Sequence, residues 1–254
     1  MHHWNRLRLL ALVDVTAFHL TGSHGFFGVG LPLFLLLSLG LIASNPDPSP
    51  RAVVYERRVR RILLPWVFWW CVFAGLYGVR AHRAGQPLFG WFEPTLILSG
   101  PEIHLWYLPF VAVTGAMVWE LGRRTRPLPM RAVVVGSLVV AIGLAELAGH
   151  MPYREPWTQW RFGIIGIPRS LGLGRLLRDR GPGSLGPFAL ALGIAAGILY
   201  AVDHWAGDVL LRFALAFGLL FLGASLPDRP DPVTRTLEPL LLGVYLLHPL
   251  VAYT

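Results

Sequence analysis

Residues 57–80 read RRVRRILLPWVFWWCVFAGLYGVR. Four arginines lead into an uncharged apolar run, Ile62–Val79, and a fifth closes it. The run approaches the ~20 residues that carry a helix across a ~30 Å hydrocarbon core. A basic cluster abutting such a run reads as a membrane span with its cytoplasmic flank. Trp66, Trp69 and Trp70 suit the aromatic belt of such a span. The run lacks the strict apolar–polar alternation of a half-buried strand, and a helix satisfies its own backbone in lipid.

Working outward, similar runs cover 9–22, 26–44, 103–121, 131–149, 157–174, 187–202, 207–225 and 237–253. Phe26–Ala43 and Arg131–Gly149 are as clear as Ile62–Val79, whereas 157–174 contains Arg161, Pro168 and Arg169. The stretch 88–99 is too short to span and is expected to be interfacial or re-entrant. The expected fold is all-α: a polytopic transmembrane helical bundle of about nine spans, forming one integral-membrane domain over 1–254. Composition agrees, with 54% hydrophobic and 14% charged residues where soluble domains carry about a quarter charged. That excludes intrinsic disorder as well. The first run carries Asp14 and His19 and lacks a small-residue cleavage site, so no cleavable signal peptide is expected.

All 22 basic residues are arginine, against 14 acidic residues. With the N-terminus inside, inner segments hold 16 arginines, and outer loops hold Arg80, Arg83 and Arg154. Arg161, Arg169 and Arg212 fall within spans. The loop-by-loop alternation is the positive-inside pattern and places the chain as a multi-pass protein of the cell (inner or plasma) membrane. The basic charge is therefore topological, and nucleic acid is excluded as a partner. The single cysteine, Cys71, excludes an internal disulfide and a multi-cysteine metal site, and among Trp69, Trp70 and Phe73 it reads as packing.

Ionisable groups inside spans mark functional sites. Arg8 and His19 are eleven residues apart, which places them about 20° from one direction on a helix and ~16 Å apart along it. An arginine at the inner mouth of a groove can hold a phosphate, and a histidine deeper along it can act as general base. The competing reading is a snorkelling arginine and a histidine bonded to a neighbouring helix. Asp14, about 140° round from His19, is placed to pair with an intramembrane arginine such as Arg161, Arg169 or Arg212.

The 57–61 arginines read either as a lipid-headgroup contact or as a cytoplasmic anion site. His104, His248 and Glu102 fall in the outer half of the membrane, where they read as helix–helix contacts or as the lining of an outward cavity. No zinc-site spacing, nucleophile elbow or Walker loop is present, so no metal is expected. Gly172-Leu173-Gly174 reads as close helix packing.

Several separated stretches resemble the membrane acyltransferase 3 family of polytopic acyltransferases. Arg8 through His19 resembles its Arg-x10-His first helix. Phe27–Ser38 resembles its second-helix segment, and Arg58–Pro65 its Arg-x-x-Arg motif with the following proline. His104–Leu108 and Tyr245–Pro249 resemble its later signatures. The chain departs from the pattern at Asn5, where the family usually has an acid, and at Leu39, where it usually has glycine. It is also about one span shorter than the usual ten, and no soluble hydrolase-like extension is expected.

The resemblance implies that His19 is catalytic and that Arg8, Arg58 and Arg61 bind the phosphates of acyl-CoA or fix the site's geometry. Acyl-CoA, most simply acetyl-CoA, is then a donor substrate with no permanently bound cofactor. The acceptor is a hydroxyl on a carbohydrate or other small envelope molecule, with Glu102, His104 and His248 as acceptor-side candidates. The resemblance further implies O-acetylation and polysaccharide modification in the cell envelope. The alternatives are a transporter or flippase using the same polar groove, and a catalytically silent membrane scaffold.

Overall fold

The computed structural model describes residues 2–21, 28–45, 47–123, 155–179, 181–201, 204–227, 232–237 and 240–252, with isolated positions between 129 and 150. The span expected over 131–149, the arginines at 124, 126, 154 and 180, and the side chain of His248 lie outside the described residues.

Every described regular element is helical. They are α1 (His2–Thr21), α2 (Gly30–Ser44), α3 (Arg51–Arg83), α4 (Tyr107–Gly122), α5 (Glu155–Asp179), α6 (Leu185–Tyr200), α7 (His204–Ser225), α8 (Pro232–Leu237) and α9 (Leu241–Ala252). Among the described residues, three stretches are long and apolar enough to cross a membrane: α3, His104–Gly122 and Asp208–Ser225. Shorter apolar helices cover Gly30–Ser44 and Pro182–Ile198. The expectation for 88–99 is met in part: turns lead to one helical turn, Leu96–Ser99, instead of a span.

α3 starts at Arg51, eleven residues before the apolar run. Arginine is a good helix former, so the basic segment continues the helix that hydropathy places only within the bilayer. The helix widens into a π turn at Val59–Leu63. Pro65 has no amide to donate to the Arg61 carbonyl and its ring crowds that oxygen, which accounts for the widening. A second π turn, Leu36–Gly40, lies within α2.

The chain divides into two compact units: residues 1–45 with 170–254, and residues 46–169. In the first, α1 packs on α2, α7 and α9, and α6 pairs with α7. Its core comprises Leu33, Leu35, Leu36, Leu37, Phe213, Phe217 and Leu220. Leu173 fills the space over Gly40, and a Cβ on Gly174 would meet Ala43 Cβ at 2.5 Å. The glycine cluster thus provides close packing at Gly174, whereas nothing lies within 4 Å of a Cβ on Gly172.

In the second unit, Phe110 of α4 packs edge-on to Trp160 at 5.3 Å and covers Gly163. Trp119 and Phe73 are fully buried there. Cys71 is exposed, contrary to the packing role expected for it. Its side of α3 is outward-facing, as is Phe68.

Candidate functional site

Arg8 and His19 both lie on α1 and both are half-buried. The eleven-residue interval sets them on one stripe, ~16 Å apart along the axis. Arg8 Nη1 donates to Asn5 Oδ1 at 2.9 Å, one turn earlier. The i, i+3 interval was visible in the sequence, but its acceptor role was not assigned.

Asp14 is buried at 5% exposure, and its Oδ2 accepts from the Gly30 amide at 2.7 Å. A carboxylate at the first amide of α2 satisfies an otherwise orphaned donor and favours the helix dipole. Of the arginines considered for Asp14, Arg212 is paired with Asp208 at 2.6 Å, one turn back on α7. Its guanidinium lies against Gly28, whose positive φ of 60° and close approach suit glycine.

In the second unit the arginines of α3 separate into two groups. Arg51 reaches Glu120 on α4 with two contacts, Nε to Oε1 at 2.8 Å and Nη2 to Oε2 at 3.0 Å. Tyr55 also donates to Glu120, at 2.8 Å. Arg57 pairs with Asp47 at 2.7 Å, and Arg60 with Glu56 at 2.7 Å. Arg58 and Arg61 make no hydrogen bond or ion pair among the described residues, and Arg58 Nε is buried without a hydrogen-bond partner. Of the five arginines between 51 and 61, the two of the Arg-x-x-Arg spacing are thus the two that no carboxylate neutralises.

The loop before α3 is fixed by the same end of α4. Trp119 Nε1 donates to the Asp47 carbonyl at 2.9 Å, and Arg123 donates to the Ser49 carbonyl at 2.8 Å while lying 4.7 Å over the Trp119 ring. Hydrogen bonds from Ser49, then the Arg57 charge, hold the Asp47 carboxyl below the usual carboxylate range. Sequence reasoning missed this lock, because Glu120 and Asp47 lie 73 residues apart.

Glu102 and His104 are buried at 4% and 2% exposure, in the loop and 3-10 turn that open α4. Tyr77 donates to Glu102 at 3.1 Å, and His104 meets the Phe73 ring edge-on at 5.6 Å. Phe73 and Tyr77 are one turn apart on α3, so one helix face receives both groups. Trp91 lies over Tyr77 with ring centroids 5.5 Å apart. His248 lies on α9, in the other unit.

The sequence profile of the acyltransferase 3 family, an acyltransferase domain, matches residues 2–254. The chain belongs to this family. No curated protein and no solved structure matches it. As an acyltransferase 3 protein it is a membrane acyltransferase, an enzyme that uses an acyl donor. The polar stripe of α1 and the unpaired arginines of α3 are the acyltransferase's candidate chemistry.

Proposed function

We propose that the protein is an O-acyltransferase of the cell membrane, moving an acyl group from acyl-CoA to a hydroxyl of a carbohydrate or other small envelope acceptor. The observation that carries the donor side is the division of the α3 arginines. Three of the five arginines between 51 and 61 are neutralised by carboxylates, and Arg58 and Arg61 are left to attract phosphate. Arginine suits phosphate because its planar donors match two oxygens at once. Arg8, on the stripe of α1 that also bears His19, is the third donor-side arginine.

His19 acts as general base. It takes the proton of the acceptor hydroxyl as the oxygen attacks the thioester carbonyl carbon. The carbon–sulfur bond then breaks, the new ester forms, and the thiolate of CoA recovers the proton from His19. Glu102, His104 and His248 belong to the acceptor side. The chain forms one integral-membrane domain of about nine spans with its N-terminus in the cytoplasm. The acyl group in its simplest form is acetyl.

The test is acyl-CoA binding and acceptor-dependent release of free CoA by purified protein. His19→Ala should retain donor binding and lose transfer. Arg58→Ala with Arg61→Ala should weaken donor binding by at least tenfold. Full transfer by His19→Ala, or unchanged donor affinity in the arginine double variant, overturns these assignments. Donor-independent passage of a solute would favour a transporter.

A further inference from the structure

Beside Arg58 lies a trough of about 610 Å³ between the start of α3 and one face of α4. Its walls are apolar, with Leu63 on one side and Ala112, Ala116 and Leu121 on the other. Its polar lining residues are Tyr55 and Glu120, toward the Leu121 end, and Arg58, whose guanidinium lies over Gly115 part-way along. Glu120 is already engaged by Arg51 and Tyr55, so Arg58 supplies the uncompensated charge there. From Leu121 to Ala112 the trough runs along about 13 Å of helix. Its rim residues Val59, Val113 and Met117 are 42%, 51% and 56% exposed, so it opens sideways. Along an apolar helix of spanning length, that side faces hydrocarbon.

A cation set within a dry, sideways-open trough matches an amphiphile whose hydrocarbon begins a few bonds from its phosphate. A phospholipid has that form. An acyl-CoA does not, because the polar amides of its pantetheine arm separate phosphate from acyl chain and would lie unpaired along these walls. Exposed Arg61 nearby adds attraction for a net anionic headgroup.

We propose that the trough is a binding site for an anionic phospholipid, with its phosphate on the Arg58 guanidinium and one acyl chain along α4. This goes beyond the donor reading. Where that reading also holds, lipid and donor contend for one guanidinium, and bound lipid lowers the apparent affinity for acyl-CoA.

The test is native mass spectrometry of delipidated protein titrated with phosphatidylglycerol or phosphatidylcholine. The wild type should retain one phosphatidylglycerol at least tenfold more tightly than phosphatidylcholine. Arg58→Ala and Ala116→Phe, which fills the trough and leaves Arg58 in place, should each lose that preference. Equal retention of the two lipids, or an unchanged preference in either variant, overturns the proposal. Acyl-CoA binding separates this from the donor reading. Ala116→Phe should lose lipid and keep donor. An Arg58→Ala protein that loses donor but keeps phosphatidylglycerol sinks the lipid site alone, and the reverse pattern sinks the donor reading alone.

Discussion

The Asp14 carboxylate accepts the Gly30 amide at 2.7 Å, tying the middle of the first helix to the first turn of the second. The approach is close enough that a Cβ on Gly30 would sit 2.7 Å from the Ala11 carbonyl oxygen and 2.9 Å from Val15 Cγ2. The helix bearing Arg8 and His19 is therefore fixed in rotation by a residue on a different face.

Removing that acceptor should be costly. Asp14→Ala leaves a buried amide unsatisfied, worth about 1–3 kcal/mol. At about 2–4 °C per kcal/mol for a chain of this size, melting in detergent should fall by several degrees. Asp14→Asn keeps an acceptor oxygen and should lose less. Gly30→Ala should destabilise too, because the obstructing Ala11 atom is backbone and cannot step aside. A melting point unchanged in both Asp14→Ala and Gly30→Ala would show that this contact does not hold α1.

Tyr77 offers a similar test on the acceptor side. Tyr77→Phe deletes the hydrogen bond to buried Glu102 and preserves the ring against Trp91. Stability should fall by about 1 kcal/mol. If Glu102 belongs to the acceptor site, the KM for acceptor should rise while the KM for acyl-CoA stays put. A rise in both would point to general loosening of the fold.

Much of the fold was legible in the sequence because a membrane demands long apolar runs. The ends of helices were less so. Hydropathy stops at Ile62, but α3 begins at Arg51, since charge does not prevent arginine from being helical. The candidate stripe on α1 followed from an interval alone, because both residues share one helix. Partner choice did not: nothing in the spacing pointed to the Gly30 amide as a partner of Asp14. Spacing alone could suggest the i, i+4 pair of Glu56 with Arg60, but not that Arg51 would be neutralised, since Glu120 reaches it only through the docking of α4.

Asp47 gives a pH prediction with a definite sign. Its pKa lies below the usual 3.8, first through Ser49 and then through Arg57. A depressed carboxyl contributes stability that is fully present above the unfolded pKa and is lost as pH falls through the folded one. The loop anchor should therefore be constant from neutral pH down to about 5 and weaken only in acid below about 4. Carboxyl NMR of aspartate-labelled protein would follow it. Ser49→Ala and Arg57→Ala should each raise the Asp47 midpoint, and an unchanged midpoint in either would remove that side chain from the assigned causes.

Gly115 on α4 sits directly under the Arg58 guanidinium. A Cβ there would overlap Nη1 and lie 3.3 Å from Cζ. The obstructed atoms are the far end of a flexible side chain, so Gly115→Ala should displace Arg58 and leave the backbone in place. Alanine also favours the helix by roughly 1 kcal/mol over glycine. The melting point should hold or rise, while affinity for acyl-CoA and for phosphatidylglycerol falls several-fold. That combination separates a displaced ligand from a damaged fold. A variant equally stable and unchanged in both affinities would mean that the seat of Arg58 on α4 has no part in binding either phosphate.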